Sequence, residues 1–330
     1  MQTNKEKYRN LCQNEKSLPI FLNDWWLDAV CTEDHWDVAL TEKGGEVFAA
    51  FPYYKMKIMG MNILAMPKLT PVLGPWIKYP EDQKYTTKLS HEKSVMTDLI
   101  GQMPRFDYFY QNFHYSLTNW LPFYWKGFKQ TTIYTYVIED LSSVDGVFQE
   151  FRDNIKREIR KAEKEITIDC HKDIEKVYAL AQMTFERQKK RIPFSLETLK
   201  NIDSACAAKN CRKTFFAKDE KGEIQAALYI VWDENSAYYL VSGANPEYRN
   251  SGAGSLLTWE AIKFASTITK RFDFEGSIIE PIERFFRSFG SVQKPFFNIT
   301  KTNSIVLKIL KLFISKNNIK KVANIIRLKN

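Results

Sequence analysis

The chain has 330 residues, 44% of them hydrophobic and 14% aromatic, enough for about two domains with separate cores; this excludes a disordered chain and a small disulfide-stapled scaffold. Lys and Arg number 48 against 39 Asp and Glu, yet eight of the cations (Lys301, Lys308, Lys311, Lys316, Lys320, Lys321, Arg327 and Lys329) lie in residues 301–330, which contain no acid, so the net +9 belongs mainly to that segment. Five scattered cysteines read as reduced thiols without a metal-ligand spacing, and neither a secretory signal nor an apolar run of ~20 residues is present, so the expectation is a cytoplasmic, metal-free protein.

In chain order, the pattern predicts a helix over Asn23–Cys31, a strand over Trp36–Thr41, a Lys43-Gly44-Gly45 turn and a returning strand over Val47–Tyr54. A third strand, Met61–Met66, runs into the Pro-rich stretch Pro67–Pro75. A helix over Lys88–Gln102, a strand over Phe106–Tyr110 and an aromatic segment, Trp120–Phe128, follow. The second half opens with the strand-like run Thr131–Ile138. One long helix, Val144–Lys164, is expected next, because Phe148, Phe151, Ile155, Ile159 and Ala162 recur at helical spacing opposite a stripe of Arg152, Lys156, Arg160 and Lys164. Helices over Ile174–Arg191 and Ser195–Ala208 precede strands over Thr214–Lys218, Ile224–Trp232 and Ala237–Ser242. The reading ends with a helix Gly254–Thr269, a strand Arg271–Glu275, a short helix Pro281–Phe289 and a strand Phe296–Thr300.

Two features organise this list. The run from Glu42 to Phe51 repeats the run from Glu220 to Leu228, each a Lys-Gly turn between strands, which suggests a duplicated unit unless such turns coincide by chance. The second feature is Arg249-x-x-Gly252-x-Gly254, set between a strand ending at Ser242 and an apolar-periodic helix. Glycines there let successive amides point into one concavity, and the helix N-terminus adds partial positive charge; an anion such as a pyrophosphate fits such a cradle, though an ordinary structural turn has the same spacing. Neither the Rossmann nor the P-loop glycine pattern is present.

Arg249-x-x-Gly252-x-Gly254 resembles the acyl-CoA pyrophosphate loop of GNAT-type N-acyltransferases. The runs Asn154–Lys164, Leu257–Ile262, Phe272–Ser277 and Phe285–Gly290 resemble the branch that holds the Fem-type peptidoglycan bridge transferases and their acetyltransferase relatives. The resemblance implies a mixed α/β fold of tandem GNAT-like domains, each a largely antiparallel sheet flanked by helices. The expected division is residues 1–130 as a domain without a donor loop, 131–300 as the donor-binding domain, and 301–330 as a basic amphipathic tail. Acyl-CoA, acetyl-CoA above all, is the implied co-substrate. Val241, Ser242, Arg249, Ser251, Gly252, Ala253, Gly254 and Ser255 are the residues expected to hold it. Where many GNAT enzymes offer a tyrosine as general acid, this chain has Phe285, Phe286 and Phe289, and the helical hairpin that some Fem proteins associate with tRNA is not evident.

For acyl transfer to an amine, strand alternation puts Asp273 and Glu275 on one face, so both are candidate catalytic carboxylates, with Glu275 as base; the competing reading has Glu275 capping the next helix or pairing with Arg284 or Arg287. Arg187, Arg191 and Tyr238 are candidate acceptor contacts. The acceptor is expected to be an amine on a larger molecule, such as a lipid-linked or cell-wall precursor. An aminoacyl-tRNA-dependent transferase and a catalytically inactive binding module are the alternatives. In the tail, Val306, Ile309, Leu310 and Phe313 fall at helical spacing, as do Ile319, Val322, Ala323 and Ile326, all among positive charges. This pattern suits an anionic membrane surface at the inner face of a cell, or a face docked on the body of the protein.

Overall fold

The computed structural model describes residues 2–313, with side chains to 309. The chain divides into two units, one running to Ile133 and taking in the described residues from Pro295 on, the other spanning Tyr134–Lys294. The elements leading through the first unit are α1 (Asn4–Asn14), α2 (Asp24–Cys31), β1 (Trp36–Lys43), β2 (Glu46–Ile58), β3 (Met61–Ala65), β4 (Trp76–Ile77), α3 (Tyr85–Gln102), β5 (Tyr108–Asn112) and α4 (Leu121–Trp125). β6 (Lys129–Ile138) leads into the second unit, which continues with α5 (Val144–Glu150), α6 (Asp153–Ala162), β7 (Ile166–Asp169), α7 (Ile174–Arg187), α8 (Leu196–Ala208), β8 (Arg212–Asp219) and β9 (Ile224–Trp232). It is completed by β10 (Ser236–Ala244), α9 (Ala253–Ala265), β11 (Arg271–Asp273) and α10 (Glu280–Arg287). The chain returns through β12 (Val292–Thr302) to α11 (Ile305–Phe313).

Each unit is a mixed sheet with helices. In the first, the strand order is β1-β2-β3-β5-β12, antiparallel except for the β3–β5 pair; in the second it is β6-β11-β10-β9-β8-β7, antiparallel except for β10–β11. The repeated Lys-Gly turns occupy equivalent places, between β1 and β2 and between β8 and β9. The expected span 131–300 differs from this division at its end: Asn298–Thr302 pair with β5, so the strand from Pro295 on completes the first unit's sheet.

Several local outcomes differ from the sequence reading. α1 was not expected, although Thr3 and Glu6 form a reciprocal capping box at its start. The single long helix over Val144–Lys164 is two helices, because Phe151 and Arg152 adopt extended backbone and the Arg152 amide donates to the Ser288 carbonyl at 2.9 Å instead of continuing the helix. Phe151 turns inward there, with its ring 5.3 Å from Trp259 and 5.1 Å from Phe289. β7 was also missed, and α7 stops at Arg187, just before Lys189 takes a φ of 54°.

Apolar periodicity supplies both cores. Ile155 and Ile159 of α6 pack with Leu256, Leu257 and Ile262 of α9 and with Phe272 and Phe274, each such side chain contributing roughly 1.5–3 kcal/mol when fully buried. In the first unit, Phe51, Phe113 and Phe123 form an edge-to-face cluster, and Phe109 packs tilted against Phe51. Among the described residues no helix is long and apolar enough to cross a membrane. The helical spacing read over residues 319–326 lies outside the described residues.

Candidate functional site

β10 and β11 run parallel and pair only over Ser236–Tyr238 and Arg271–Asp273. Beyond that point β11 stops, the Phe274 amide turns to the Tyr136 carbonyl, and β10 continues to Ala244. A register shift against β9 between Tyr239 and Val241 leaves Leu240 without a partner there. The bulge brings Tyr239 and Ser242 to the same side, where the Tyr239 hydroxyl bonds with Ser242 and with Thr258 of α9. The Tyr239 ring packs 6.0 Å from Phe274 and 5.4 Å from Phe286, and burial pushes its hydroxyl pKa up against the opposing effect of those two hydrogen bonds. On the opposite face, a Cβ on Gly243 would lie 2.1 Å from the Ala181 nitrogen, so only glycine lets α7 lie flush on the end of β10. Thr184 of α7 accepts from the Ala244 amide at 3.0 Å.

After β10, a 3-10 turn at Pro246–Tyr248 leads to Gly252, the N-cap of α9, at φ 80°. A Cβ at Gly252 would stand 2.9 Å from the Glu158 carbonyl oxygen and 3.2 Å from the Ala162 Cβ, so this glycine is demanded by close approach to α6 as well as by its backbone conformation. Gly254 is different. A Cβ there meets no atom within 4 Å, and a glycine in the first turn lowers helix propensity without any packing reason. The N-cap offers no side chain to the helix start. The Ala253 amide reaches the Ser251 hydroxyl at 3.3 Å and the Leu256 amide bonds to the Gly252 carbonyl, whereas the Gly254 and Ser255 amides have no partner among the described residues. Two unpartnered donors thus stand at the positive end of the helix dipole, and the exposed Arg249 shortly precedes them in the chain.

Of the residues expected to hold a donor, Gly254 and Ser255 contribute bare amides to the first turn of α9, and Arg249 is exposed in the turn before it. The Ser255 side chain is buried, and its hydroxyl donates to Glu158 at 2.7 Å. Gly252 is a packing residue, and buried Val241 shares the α7-facing side with Gly243.

At the other end of the divergence, β11 delivers two carboxylates. The strand ends at Asp273 and Glu275 sits at φ 58°, so the alternation that placed both on one strand face does not hold. They meet by another route. Asp273 accepts at Oδ1 from the Thr135 hydroxyl and, at 2.8 Å, from the Glu275 amide. Asp273 is 5% exposed; desolvation pushes its pKa up to about 6, against the lowering effect of those two hydrogen bonds. Glu275 is held well above the usual carboxylate range, first by burial and then by the charge of Asp273, and its Oε1 is buried with no hydrogen-bond partner. The left-handed backbone is enforced next door, since a Cβ on Gly276 would fall 2.0 Å from the Tyr134 carbonyl oxygen. The competing capping role for Glu275 is overturned: Ile279 is the N-cap of α10, and Arg284 and Arg287 pair with Glu280 and Glu283 within that helix.

The expected acceptor contacts separate. Tyr238 is buried, and its hydroxyl donates to Asp233 at 2.9 Å within the β9–β10 turn. Arg187 and Arg191 are exposed, Arg187 at the end of α7 and Arg191 in the connection to α8. Sequence reasoning missed Thr135, Tyr239 and Thr184. Gly243 inside a strand was the one available signal for the close approach of α7. No cluster of three or more His, Cys, Asp or Glu forms a metal-binding group among the described residues.

Residues 149–277, which contain both features, match the family model described as an acetyltransferase (GNAT) domain. Among solved structures, the chain is similar to the crystal structure of FemX at 12% identity and a TM-score of 0.62, covering 90% of this chain and 96% of that one. It is also similar to the C-terminal domain of a putative lysylphosphatidylglycerol synthetase from Agrobacterium fabrum, with 11% identity, TM-score 0.53 and coverage of 91% and 93%. A tandem GNAT protein from the clavulanic acid biosynthesis pathway aligns at 11% identity and TM-score 0.51, covering 91% and 95%. A sequence search of curated proteins finds no match. The chain therefore has a GNAT fold like that of the tandem GNAT protein, and its second unit carries a segment that matches the acetyltransferase (GNAT) domain.

Proposed function

We propose that the protein is an acyltransferase that moves an acyl group from acyl-CoA to an amine on a cell-envelope component. The observation that carries this reading is the bare start of α9, with two unpartnered amides and an open side at Gly254, at the end of a strand that diverges from a neighbour ending in buried Asp273 and followed by Glu275. The amides of Gly254 and Ser255 and the Arg249 guanidinium would hold the pyrophosphate of the donor. A CoA thioester supplies an activated acyl carbonyl. Glu275, proton-loving and unpartnered at Oε1, takes a proton from the acceptor ammonium; the freed nitrogen lone pair bonds to the acyl carbon as the carbon–sulfur bond breaks, and the second proton the nitrogen sheds goes to the departing thiolate, which leaves as the CoA thiol. Asp273, fixed by Thr135, acts on Glu275 through its charge and through the backbone turn.

Calorimetry with CoA and acetyl-CoA tests the donor. Micromolar binding that weakens at least ~10-fold in Gly254→Leu is expected. Absence of binding to the natural chain, or equal binding to the variant, overturns the assignment. Gly252→Val is not the right variant, since it would strain the backbone and strike α6.

A second reading, an aminoacyl-tRNA-dependent transferase, is favoured by the likeness to FemX and to the lysylphosphatidylglycerol synthetase domain. Transfer that requires charged tRNA and ignores acetyl-CoA would select it. A cytoplasmic location with access to envelope precursors accords with both readings.

A further inference from the structure

One end of the first unit carries an apolar, basic surface that neither the sheet nor the core requires. α4 exposes Leu121, Tyr124 and Trp125 at 48%, 58% and 54%, while its Phe123 is fully buried and anchors the helix. The chain then turns through Lys126, whose carbonyl receives the Lys301 ammonium at 2.7 Å. That contact ties the end of β12 to the end of α4. Three residues further on, α11 begins, held to the unit by Asn303 and Ser304 amides on the Asp107 carbonyl and by Leu307, which is 5% exposed. Its other side presents Ile305, Val306 and Ile309 at 71%, 63% and 47%.

The exposed charges named around these apolar side chains are positive, while the Glu92 carboxylate is buried on Asn119. Partial burial first, and then the charges of Lys126 and Lys308, disfavour the protonated form of Lys301, and Lys93 sits 4.9 Å over the Trp125 ring. Arg105, next to the Phe106 carbonyl that binds Asn303, is exposed. Asp107, a carboxylate at this end, accepts from the Asn62 amide. Crowded lysines repel one another and gain from an anionic partner. Exposed aliphatic side chains gain only from a partner that removes them from water. The sequence continues from residue 314 with five more basic residues and no acid.

We propose that the surface made by α4, the end of β12 and α11 docks on an anionic lipid bilayer, with Ile305, Val306 and Ile309 entering the interface. Trp125 and Tyr124 sit at headgroup level, and the lysines face acidic phospholipid phosphates. Trp and Tyr favour that depth, and each lysine adds attraction that fades within a Debye length of about 8 Å at physiological salt. A nucleic acid would reward the lysines but leave the aliphatic residues exposed, which is why lipid is favoured. The inference goes beyond the acyl-transfer reading and stands without it.

The test uses the full chain and two vesicle compositions, pure phosphatidylcholine and an equal mixture with phosphatidylglycerol. Co-sedimentation with the mixed vesicles at low salt is expected, with weak binding to phosphatidylcholine. The combined variant Ile305→Glu, Val306→Glu and Ile309→Glu, all at exposed positions, should bind at least ~10-fold more weakly while keeping the CoA affinity of the natural chain. Brominated lipid should quench tryptophan emission less in Trp125→Phe. No binding to mixed vesicles, unchanged binding by the triple variant, or equal quenching in Trp125→Phe would overturn the proposal. So would a loss in the triple variant that appears with tRNA as the probe but not with vesicles.

Discussion

The two units share one strand order, yet they treat the space beyond their parallel pair in opposite ways. In the second unit β10 runs on past the end of β11, and the chain needs only a short turn to reach the bare start of α9. In the first, β3 stops at Ala65 while β5 runs on to Asn112, and the Pro-rich segment returns to fill the vacated edge. Leu73 bridges to Phe113, its amide bonds to the Asn112 carbonyl, and the Asn112 side chain holds the Pro71 carbonyl. Gly74 is the tightest point of that plug, since a Cβ there would lie 2.5 Å from the Phe113 ring. The buried polar residue on β5 is Gln111, a neutral amide bonded to the Pro52 carbonyl, where β11 has the charged Asp273. One topology thus gives a self-filled, neutral edge in one unit and an open, acidic one in the other. The lesson is that chemistry here depends on what the chain does after the pairing ends.

The sharpest test of this contrast is at the acidic edge. Glu275→Gln should lower turnover about 10²–10⁴-fold with CoA affinity unchanged, read by steady-state kinetics and calorimetry. Undiminished turnover would leave the second unit's carboxylates with a structural role only. The first unit offers the reverse experiment. Gly74→Ala, at φ +97° against the Phe113 ring, should lower unfolding stability by roughly 2–4 kcal/mol in urea titrations and leave CoA affinity untouched.

A pH experiment follows from the raised carboxylates. Asp273 binds its proton more tightly folded than unfolded, so its contribution to stability is fully present below its unfolded value and is lost as pH rises towards and through about 6. Asp273→Asn removes that loss, and relative to the natural chain it should gain on the order of 2 kcal/mol between pH 4 and pH 8. Because Asp273 also raises Glu275, the rising limb of the pH–rate profile should move to lower pH in the same variant. A limb that stays in place would detach the two carboxylates from one another. The smallest expected effect is at Arg249. Exposed and at a helix start, its replacement by Ala should weaken CoA binding about 3–10-fold at low salt and less at high salt.

Much of this was legible in the residues. The glycine-bearing turn between strand and helix marked the bare start of α9, and Asp273 with Glu275 was singled out from strand alternation beside Gly276. The reason offered for the pair was incorrect, because alternation assumes a strand that continues, and Gly276 pressed against Tyr134 forces Glu275 into left-handed backbone instead. Helical periodicity ran straight through Phe151 and Arg152 for a related reason. The break is made by the Ser288 carbonyl, distant in sequence, and no local pattern announces it. Gly252 and Gly254 were indistinguishable as letters. Only the neighbouring α6 separates a glycine needed for packing from one that leaves a helix start bare.

The late place of β12 in the chain has a consequence for synthesis. β12, which follows the second unit in the chain, pairs with β5 of the first, joining Asn112 to Asn298. Emerging from the ribosome in order, residues up to 133 must wait, with β5 lacking its neighbour, until the chain near 300 is made. The second unit is contiguous in the chain, from Tyr134 to Lys294, so it needs nothing made after that point. Assembly should therefore finish in the first-made half last, and a protein halted during translation before about residue 295 should expose the edge of β5 to pairing with other chains.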